Sequence, residues 1–396
     1  MAQWNRVPLI DYIELIGGGT PKTTVPEYWN GNIPWLSVKD FNNDKRYVYS
    51  TEKHISQSGF ENSPTKMLHK DDIIISARGT VGEIAMIPFD MAFNQSCYGI
   101  RASRGIGKPF LYYLLKNCIS QLKRMTHGSV FDTITRDTFA NIEVDIPDAE
   151  TQKRISSVLA DIDNKIEVND AINDNLQQQA AAIFRSWFVD YAPFGGTAPN
   201  EWKNVTLEEI TALVSRGITP KYADDADQIV INQKCIRNHM IDLSLARSHK
   251  PKVINDKWLR FGDLLINSTG DGTLGRVAQV WFQPHNLTVD SHVTIVRPAA
   301  ENTIFYIGLW GIQHEKEIES LHTGSTGQTE LPRDRVKALE LLLPDKETLD
   351  RFNALIAPMA ADIISNQEEN NRLASIRDAL LPKLMSGKID VSGIQL

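Results

Sequence analysis

Two long segments of the chain carry the same apolar pattern, and the second follows the first by 197 residues. In the segment from Thr151 to Trp187, apolar residues recur at alternating steps of four and three, which is typical of the seam of a helix that pairs with another helix. The segment from Glu347 to Leu384 repeats the pattern. The matching seam positions are Ile155, Leu159, Ile162, Ile166, Leu176, Ala180, Ile183 and Trp187, then Phe352, Ile356, Met359, Ile363, Leu373, Arg377, Leu380 and Leu384. The sequence therefore predicts two long helices that pack on each other.

Asparagine interrupts both seams at the same two steps, as Asn169 and Asn173 in the first copy and as Asn366 and Asn370 in the second. A buried polar residue in such a seam disfavours shifted pairings. These four residues are therefore predicted to mark the register of the helix pair. Pro358 lies inside the second segment and removes one backbone hydrogen bond, which predicts a kink or a break there.

The repeat extends over almost the whole chain. Thr20-Pro21-Lys22 is matched by Thr219-Pro220-Lys221, and an apolar strand candidate precedes both Gly79–Gly82 and Gly272–Gly275. Trp4 and Trp202 each open a segment that has helical spacing at Val7, Ile10 and Ile13 in the first copy and at Val205, Ile210 and Leu213 in the second. Other apolar runs predict strands at 33–38, 73–76, 84–87 and 142–146 and a helix at 110–124.

These patterns predict an α+β fold with two pseudo-repeated globular domains, each followed by a long helix, the two helices forming an antiparallel coiled coil. The predicted segments are a first domain (1–150), a first helix (151–190), a linker (191–200), a second domain (201–346), a second helix (347–388) and a C-terminal tail (389–396). The chain has no apolar run long enough to span a bilayer and no signal-peptide pattern at its start, which favours a cytoplasmic protein without membrane contact.

Charge argues against a simple basic nucleic-acid binder, because the net charge is −7. Basic residues cluster locally instead: 101–124 holds six and no acid, and 234–260 holds seven against two acids. Either stretch could also be an ordinary solvated face. The three cysteines are scattered singly and predict neither disulfides nor a metal site.

Motifs for catalysis are mostly missing from the sequence. We find no phosphate-binding loop, no dinucleotide fingerprint, no zinc-protease motif and no amino-methyltransferase motif. Asp148, Asp163 and Lys165 resemble the carboxylate and lysine set of metal-dependent nucleases. Asp163 and Lys165 fall inside the first long helix, however, where residues two apart point in different directions.

The two glycine-rich loops are better candidates for function. Arg78 precedes Gly-Thr-Val-Gly in the first copy, and Arg276 follows Gly-Thr-Leu-Gly in the second. Glycine allows close approach to a phosphate, threonine can bond a phosphate, and arginine can read guanine. A tight turn without a ligand would also fit either loop alone. The flanking residues differ between the copies, as two readers of different sequences would require.

The chain resembles the DNA-specificity subunits of Type I restriction-modification systems. The resemblance covers nearly all of the chain and rests on the duplicated plan and on three local patterns. These patterns are Ile146-Pro147 leading to Ile155, residues 182–190 (AIFRSWFVD) and residues 380–389 (LLPKLMSGKI). The Glu-Gln pair usual before the helix is spaced apart in the first copy, as Glu150 and Gln152, and is absent from the second.

The resemblance implies a non-catalytic subunit without a cofactor of its own. It would bind double-stranded DNA and two methyltransferase subunits, and the full complex would add restriction and translocase subunits. S-adenosylmethionine, ATP and Mg²⁺ are expected on those partners. Each recognition domain would read one half of a split, asymmetric target, and the helix pair would set the gap.

On this interpretation the DNA-binding residues fall into two groups. Candidates for base reading are Lys39, Arg78, Thr80, Lys234, Arg237, Thr269, Asp271 and Arg276, with Ser129 and Ser325 in the matched Gly-Ser segments. Candidates for phosphate contacts are Lys45, Arg46, Arg247, Lys250 and Lys252. Two alternatives stay open: a stand-alone metal-dependent endonuclease, and a coiled-coil scaffold that binds protein.

Overall fold

The computed structural model describes residues 4–126, 133–224, 226–270, 272–324 and 329–394. The chain divides into two compact units: unit 1 is Met1–Val168 with Glu369–Leu396, and unit 2 is Asn169–Glu368. Each unit thus contains part of both long helices. The segment boundaries predicted from the repeat instead give each long helix a segment of its own. Those boundaries stay predictions.

Unit 1 combines short strands with one helix of medium length and with part of each long helix. Its strands are β1 (Trp4–Pro8), β2 (Ile13–Gly17), β3 (Trp29–Leu36), β4 (Lys53–Ile55), β5 (Met67–Leu68), β6 (Ile73–Ser76), β7 (Ile84–Met86), β8 (Met91–Phe93), β9 (Cys97–Ala102) and β10 (Glu143–Pro147). Its helices are α1 (Val38–Phe41), α2 (Gln57–Glu61), α3 (Lys108–Thr126), α4 (Arg136–Ala140), the first half of α5 (Ala149–Phe188) and the end of α9 (Lys346–Met385).

Unit 2 has a matching set of elements. Its strands are β11 (Lys203–Thr206), β12 (Thr211–Arg216), β13 (Gln228–Ile231), β14 (Ile236–Arg237), β15 (Met240–Ile241), β16 (Arg247–His249), β17 (Leu264–Asn267), β18 (Val277–Gln279), β19 (Leu287–Val289), β20 (Val293–Pro298) and β21 (Glu340–Leu343). Its helices are the second half of α5, α6 (Ile304–Gln313), α7 (Glu315–Ser320), α8 (Arg333–Lys337) and the first part of α9 (Lys346–Met385).

Both units repeat one sheet topology. The central antiparallel sheet has the order β2-β9-β6-β7 in unit 1 and β12-β20-β17-β18 in unit 2. A second sheet contains one parallel pair, β3 with β8 and β13 with β19, and a two-stranded ribbon joins β1 to β10 and β11 to β21. The internal repeat of the sequence is therefore a repeat of the fold.

The long helices pair in opposite chain directions within each unit. In unit 1, Ile155 and Leu159 of α5 share one apolar core with Leu381 and Leu384 of α9. In unit 2, Phe184 and Phe188 of α5 pack on α9, with the rings of Phe188 and Phe352 4.8 Å apart. The seam residues are buried or half-buried, and none is exposed. Full burial of one large apolar side chain stabilises the pair by about 1.5–3 kcal/mol.

Two expectations about local structure are wrong. The segment after Trp4 is not helical, because Trp4–Pro8 pairs as a strand with Glu143–Pro147 and a single 3-10 turn separates it from β2; the segment after Trp202 behaves in the same way. Of the kink or break expected at Pro358, the break is absent, since α9 continues through it, and the kink stays a prediction. Pro358 and Ala354 lie on the exposed face of α9, so water can solvate the carbonyl that proline leaves without its helical donor.

The described part of the chain has no helix that is both long and apolar enough to cross a membrane. Nor do the described residues contain a cluster of three or more His, Cys, Asp or Glu side chains that could hold a metal ion. All three cysteines are free thiols and buried, and burial raises the pKa of each, to about 12 for Cys97.

Candidate DNA interface

The glycine-rich loop of unit 1 follows β6 and is held by its own backbone. The Gly82 amide donates to the Ser76 carbonyl at 2.9 Å, and the Glu83 amide donates to the Ser76 hydroxyl at 2.8 Å. Gly82 has a positive φ of 86°, and a Cβ there would lie 2.5 Å from the Lys123 side chain of α3. The last glycine of the loop is therefore favoured by its backbone conformation, and a side chain there would have to displace Lys123.

Unit 2 builds its loop after β17 in the same way. The Gly275 amide donates to the Asn267 carbonyl at 2.8 Å. Gly275 has a φ of 84°, and a Cβ there would lie 2.6 Å from the backbone of Glu319 in α7. The first glycines, Gly79 and Gly272, have open space around them. Each loop is thus fixed against a helix at its end and open at its tip.

The candidates for base reading in unit 1 lie where a ligand could approach. Arg78 and Thr80 are exposed on the tip of the loop. Lys39, in α1, is also exposed, and its ammonium lies 4.0 Å from Glu52. Ser129 lies outside the described residues.

The structure contradicts the phosphate contact predicted for Arg46. Its side chain is only 10 % exposed and lies against α5, with Nε 3.3 Å from Glu167 and Nη1 3.4 Å from the Ala160 carbonyl. Its guanidinium also lies 4.9 Å from the centre of the Tyr47 ring. Arg46 therefore joins a surface loop to the long helix. Its neighbour Lys45 is exposed, and the phosphate contact of Lys45 stays a prediction.

The unit 2 candidates are spread over two regions. Thr269 and Arg276 lie on the glycine-rich loop, where Arg276 Nη2 donates to the Gly272 carbonyl at 2.7 Å. Lys234 and Arg237 are exposed on the segment before β15. Asp271 and Ser325 lie outside the described residues.

The predicted phosphate contacts of unit 2 lie on or beside β16. The Arg247 guanidinium stacks 3.7 Å from the centre of the Tyr222 ring, and Lys250 and Lys252 are exposed beyond it. The amide of Lys250 donates to the Lys221 carbonyl at 2.8 Å, which brings the Thr-Pro-Lys segment to the same place. The result is a basic surface, as phosphate contacts require.

The asparagine steps of the seams are buried or half-buried in the helix pair. Asn366 Nδ2 donates to Asn173 Oδ1 at 2.9 Å, and Asn169 is fully buried. Asn370, the fourth residue of the set, is half-buried. A hydrogen bond between two seam amides would be lost in a shifted pairing, which supports the predicted role of the set in fixing the register.

The residues of the nuclease alternative do not form one site. Asp148 caps α5 by accepting from the Thr151 amide at 2.9 Å, and this bond lowers the pKa of the Asp148 carboxyl. Asp163 is buried against Tyr113 and Arg377, and Lys165 pairs with Glu369 at 3.2 Å. Fifteen residues of helix separate Asp148 from Asp163, about 22 Å at 1.5 Å per residue. Two carboxylates that far apart cannot share a metal ion.

Sequence reasoning missed a buried ionic cluster in unit 1. Arg377 of α9 donates to Asp163 and to Asp44, each at 2.9 Å, and Tyr113 donates to Asp163 at 2.6 Å. Burial alone would lower the pKa of Arg377, but the hydrogen bonds and charges of Asp378, Asp44 and Asp163 raise it. The sequence held one signal of this cluster, a seam position occupied by arginine where the first copy has Ala180.

Comparison with known proteins shows which family the chain is similar to. Residues 1–178 match the family model described as the Type I restriction modification DNA specificity domain. The specificity subunit of the Type I restriction enzyme MjaIX from Methanocaldococcus jannaschii is 27 % identical over 98 % of this chain and 94 % of its own length. The HindI specificity subunit from Haemophilus influenzae is 24 % identical over 71 % of this chain and 77 % of its own length.

A solved structure shows a similar fold. The S subunit of a Type I restriction-modification system from M. genitalium aligns with a TM-score of 0.54 at 14 % identity, covering 97 % of this chain and 96 % of its own. At that identity the likeness concerns the fold alone.

Proposed function

We propose that the chain is a Type I restriction-modification DNA specificity subunit, as its matched domain and its similarity to specificity subunits over 98 % of its length suggest, and that it reads a split, asymmetric site in double-stranded DNA. Each unit reads one half of the site. The observation that carries this proposal is the duplicated loop: one backbone scaffold occurs after β6 and after β17, and different side chains stand on each copy. The same backbone scaffold with different side chains is what two units need in order to recognise two different half-sites.

The chemistry would be done by partner subunits. Two methyltransferase subunits would bring S-adenosylmethionine and methylate adenine, and restriction subunits would add ATP- and Mg²⁺-dependent cleavage, in a cytoplasmic complex. Lys45 and the surface that holds Arg247, Lys250 and Lys252 would position the complex on phosphates, while the loop tips would specify bases. The net charge of −7 fits a subunit that shares its DNA surface with partners.

Co-expression with the neighbouring methyltransferase tests the function directly. Methylated adenines mapped across the host genome should fall in one two-part motif with a fixed gap. Co-expression of the methyltransferase alone is the control. A genome without a new methylated motif, from cells in which both proteins are soluble and copurify, would contradict the proposal.

The protein-scaffold alternative makes a different prediction for the same copurified complex. A scaffold would bind the partner but would not shift a DNA duplex that carries the mapped motif more than a scrambled duplex of equal length. A specificity subunit should prefer its motif by about 10³-fold or more at physiological salt.

A further inference from the structure

A second loop stands beside each glycine-rich loop. It is the turn before the neighbouring strand of the central sheet, residues 94–96 before β9 in unit 1 and residues 290–292 before β20 in unit 2. The Ala77 amide donates to the Ser96 carbonyl at 2.8 Å, and the Ser268 amide donates to the His292 carbonyl at 2.8 Å. In both units the turn and the glycine-rich loop are therefore joined by the same main-chain bond.

Each turn is closed by the same side-chain cap. Asn94 Oδ1 accepts from the Ser96 amide at 3.1 Å, and Asp290 Oδ1 accepts from the His292 amide at 2.9 Å. Asparagine and aspartate commonly stabilise turns by bonding the amide two residues on. The cap is shared between the repeats, so the backbone of the turn is held in one conformation whatever side chains it carries.

The side chains that the turns present are different. In unit 1 the exposed residue is Gln95, whose Oε1 accepts a hydrogen bond from the Thr20 hydroxyl. In unit 2 the exposed residue is His292, whose Nδ1 lies 2.6 Å from the Thr269 hydroxyl. Thr269 in turn reaches Gln233 Oε1 at 3.3 Å. Each exposed side chain is thus held by one neighbour and is pre-oriented before any ligand arrives.

We propose that Gln95 and His292 are base-reading residues, Gln95 for one half-site and His292 for the other. This inference rests on the proposed function and names side chains that act in it. A glutamine amide can bond both N6 and N7 of adenine. The histidine ring, held at Nδ1 by Thr269, presents Nε2 to a base edge as a donor or an acceptor according to its tautomer.

The main-chain scaffold explains why the side chains of Gln95 and His292 are available to recognise a base. Both turns are closed by Asn94 or Asp290 and joined to the glycine-rich loop by main-chain bonds, none of which uses the side chain of Gln95 or His292. Both turns contact candidates that the sequence already predicts: the Arg78 amide donates to the Ser96 carbonyl of the unit 1 turn at 3.2 Å, and the Thr269 hydroxyl lies 2.6 Å from His292 Nδ1. Two adjacent loops together offer a wider set of contacts to a base pair than either loop alone.

The test uses the full chain, co-expressed with its methyltransferase, in four alanine variants and in the two conservative variants Gln95→Asn and His292→Asn. Gln95→Ala and His292→Ala remove the proposed readers. Gln57→Ala and His285→Ala are the matched controls, since both residues are exposed and Gln57 also bonds a neighbour, Glu61, at 2.7 Å. Methylated adenines are mapped, and affinity for duplexes altered at single positions is measured for the copurified complex.

Gln95→Ala should relax the motif at one or two positions of one half-site, and His292→Ala should do so in the other half-site only. Discrimination at those positions should fall by roughly 5- to 150-fold, the range for one specific base contact. The two controls should leave the motif unchanged.

Three results would overturn the inference. One is an unchanged motif in both variants, and a second is equal relaxation of both half-sites by either variant. The third is loss of all methylation both in the alanine variants and in the conservative variants Gln95→Asn and His292→Asn. That result would show that the two residues have a structural role. A wild-type chain that directs no methylation would instead refute the proposed function, so the two failures are distinguishable.

Discussion

Arg377 and Asp163 form a buried ion pair, with Arg377 Nη1 2.9 Å from Asp163 Oδ1 and both side chains 5 % exposed. At the matching positions, both in unit 2, stand Ala360 and Ala180, which are also buried. One end of the duplicated seam is therefore ionic and the other apolar. Removing one partner of a buried pair is strongly destabilising because the other charge is left uncompensated.

Arg377→Ala should lower the free energy of unfolding by about 3–5 kcal/mol. The double variant Asp163→Ala, Arg377→Ala should recover roughly half of that loss, because no buried carboxylate then remains unpaired. Guanidinium titration of the full chain measures both values. Arg372→Ala, an exposed residue of the same helix, is the control and should change stability by less than about 0.5 kcal/mol. A double variant no more stable than the single one would contradict the explanation.

Acid should weaken the contact between the 42–49 loop and the long helices. Burial raises the pKa of Asp44, but the charges of Lys116 and Arg377 outweigh that effect and hold it below its usual value. A carboxyl with a lowered folded-state pKa contributes stability above its unfolded pKa of about 4 and loses it as pH falls through the folded pKa. Denaturation midpoints of wild type and Asp44→Asn should therefore differ at neutral pH and converge below about pH 4.

The control for this acid limb is Asp174→Asn, an exposed carboxyl of α5. Its midpoint should follow the wild type throughout the range. A difference between wild type and Asp44→Asn that persists unchanged at low pH would show that the asparagine itself, rather than the lost charge, sets the stability.

The seam asparagines should cost stability and fix the register. Asn173→Leu alone leaves the half-buried amide of Asn366 without its 2.9 Å acceptor, at a cost of about 1–3 kcal/mol. Replacing both residues by leucine should raise the denaturation midpoint above that of the single variant and should broaden the distribution of gap lengths in the methylated motif. A single gap length in the double variant would argue against the register role.

Lengthening both long helices should change the gap and nothing else. Seven residues inserted after Val168 and seven after Glu368 keep the seam in phase and add about 10 Å of helix, close to three base pairs at 3.4 Å each. The mapped motif should show the same two half-sites with a gap about three base pairs longer. An unaltered gap would refute the idea that the helix pair acts as a ruler.

Arg276→Ala should relax only one half-site of the motif, because Arg276 is on the unit 2 loop. Its effect on discrimination should be about 5- to 150-fold. Arg260→Ala is the control, since Arg260 is exposed beyond the other end of β17. Equal loss of affinity for all sequences would assign Arg276 to phosphate contact instead.

The periodic parts of the chain could be predicted from the sequence. The first long helix was expected at 151–190 and spans Ala149–Phe188, and the strand expected at 73–76 is β6. The helix expected at 110–124 extends to Lys108–Thr126. In these elements apolar spacing is strong and local, so the nearest residues carry the signal.

Contacts between distant parts of the chain could not be predicted. The helix predicted after Trp4 was wrong because this segment pairs as β1 with the distant strand β10. A side-chain bond between the two strands joins Arg6 to Glu143, 137 residues later. Arg46 was predicted to contact phosphate from its charge alone. The sequence does not show that Glu167, 121 residues later, lies beside it. Gln95 and His292 are not among the residues predicted from the sequence for the same reason. Only the folded structure brings their turns beside the glycine-rich loops.

The main-chain bonds that hold both loops also bear on how such a protein changes over time. Ala77 and Ser268 are fixed through their amides, and Gly82 and Gly275 through theirs, so substitutions at the exposed tips leave these bonds intact. Mutations that alter the target sequence are therefore nearly free of a folding penalty. A lineage that carries this protein can explore new recognition sequences without first accumulating compensatory changes in the core.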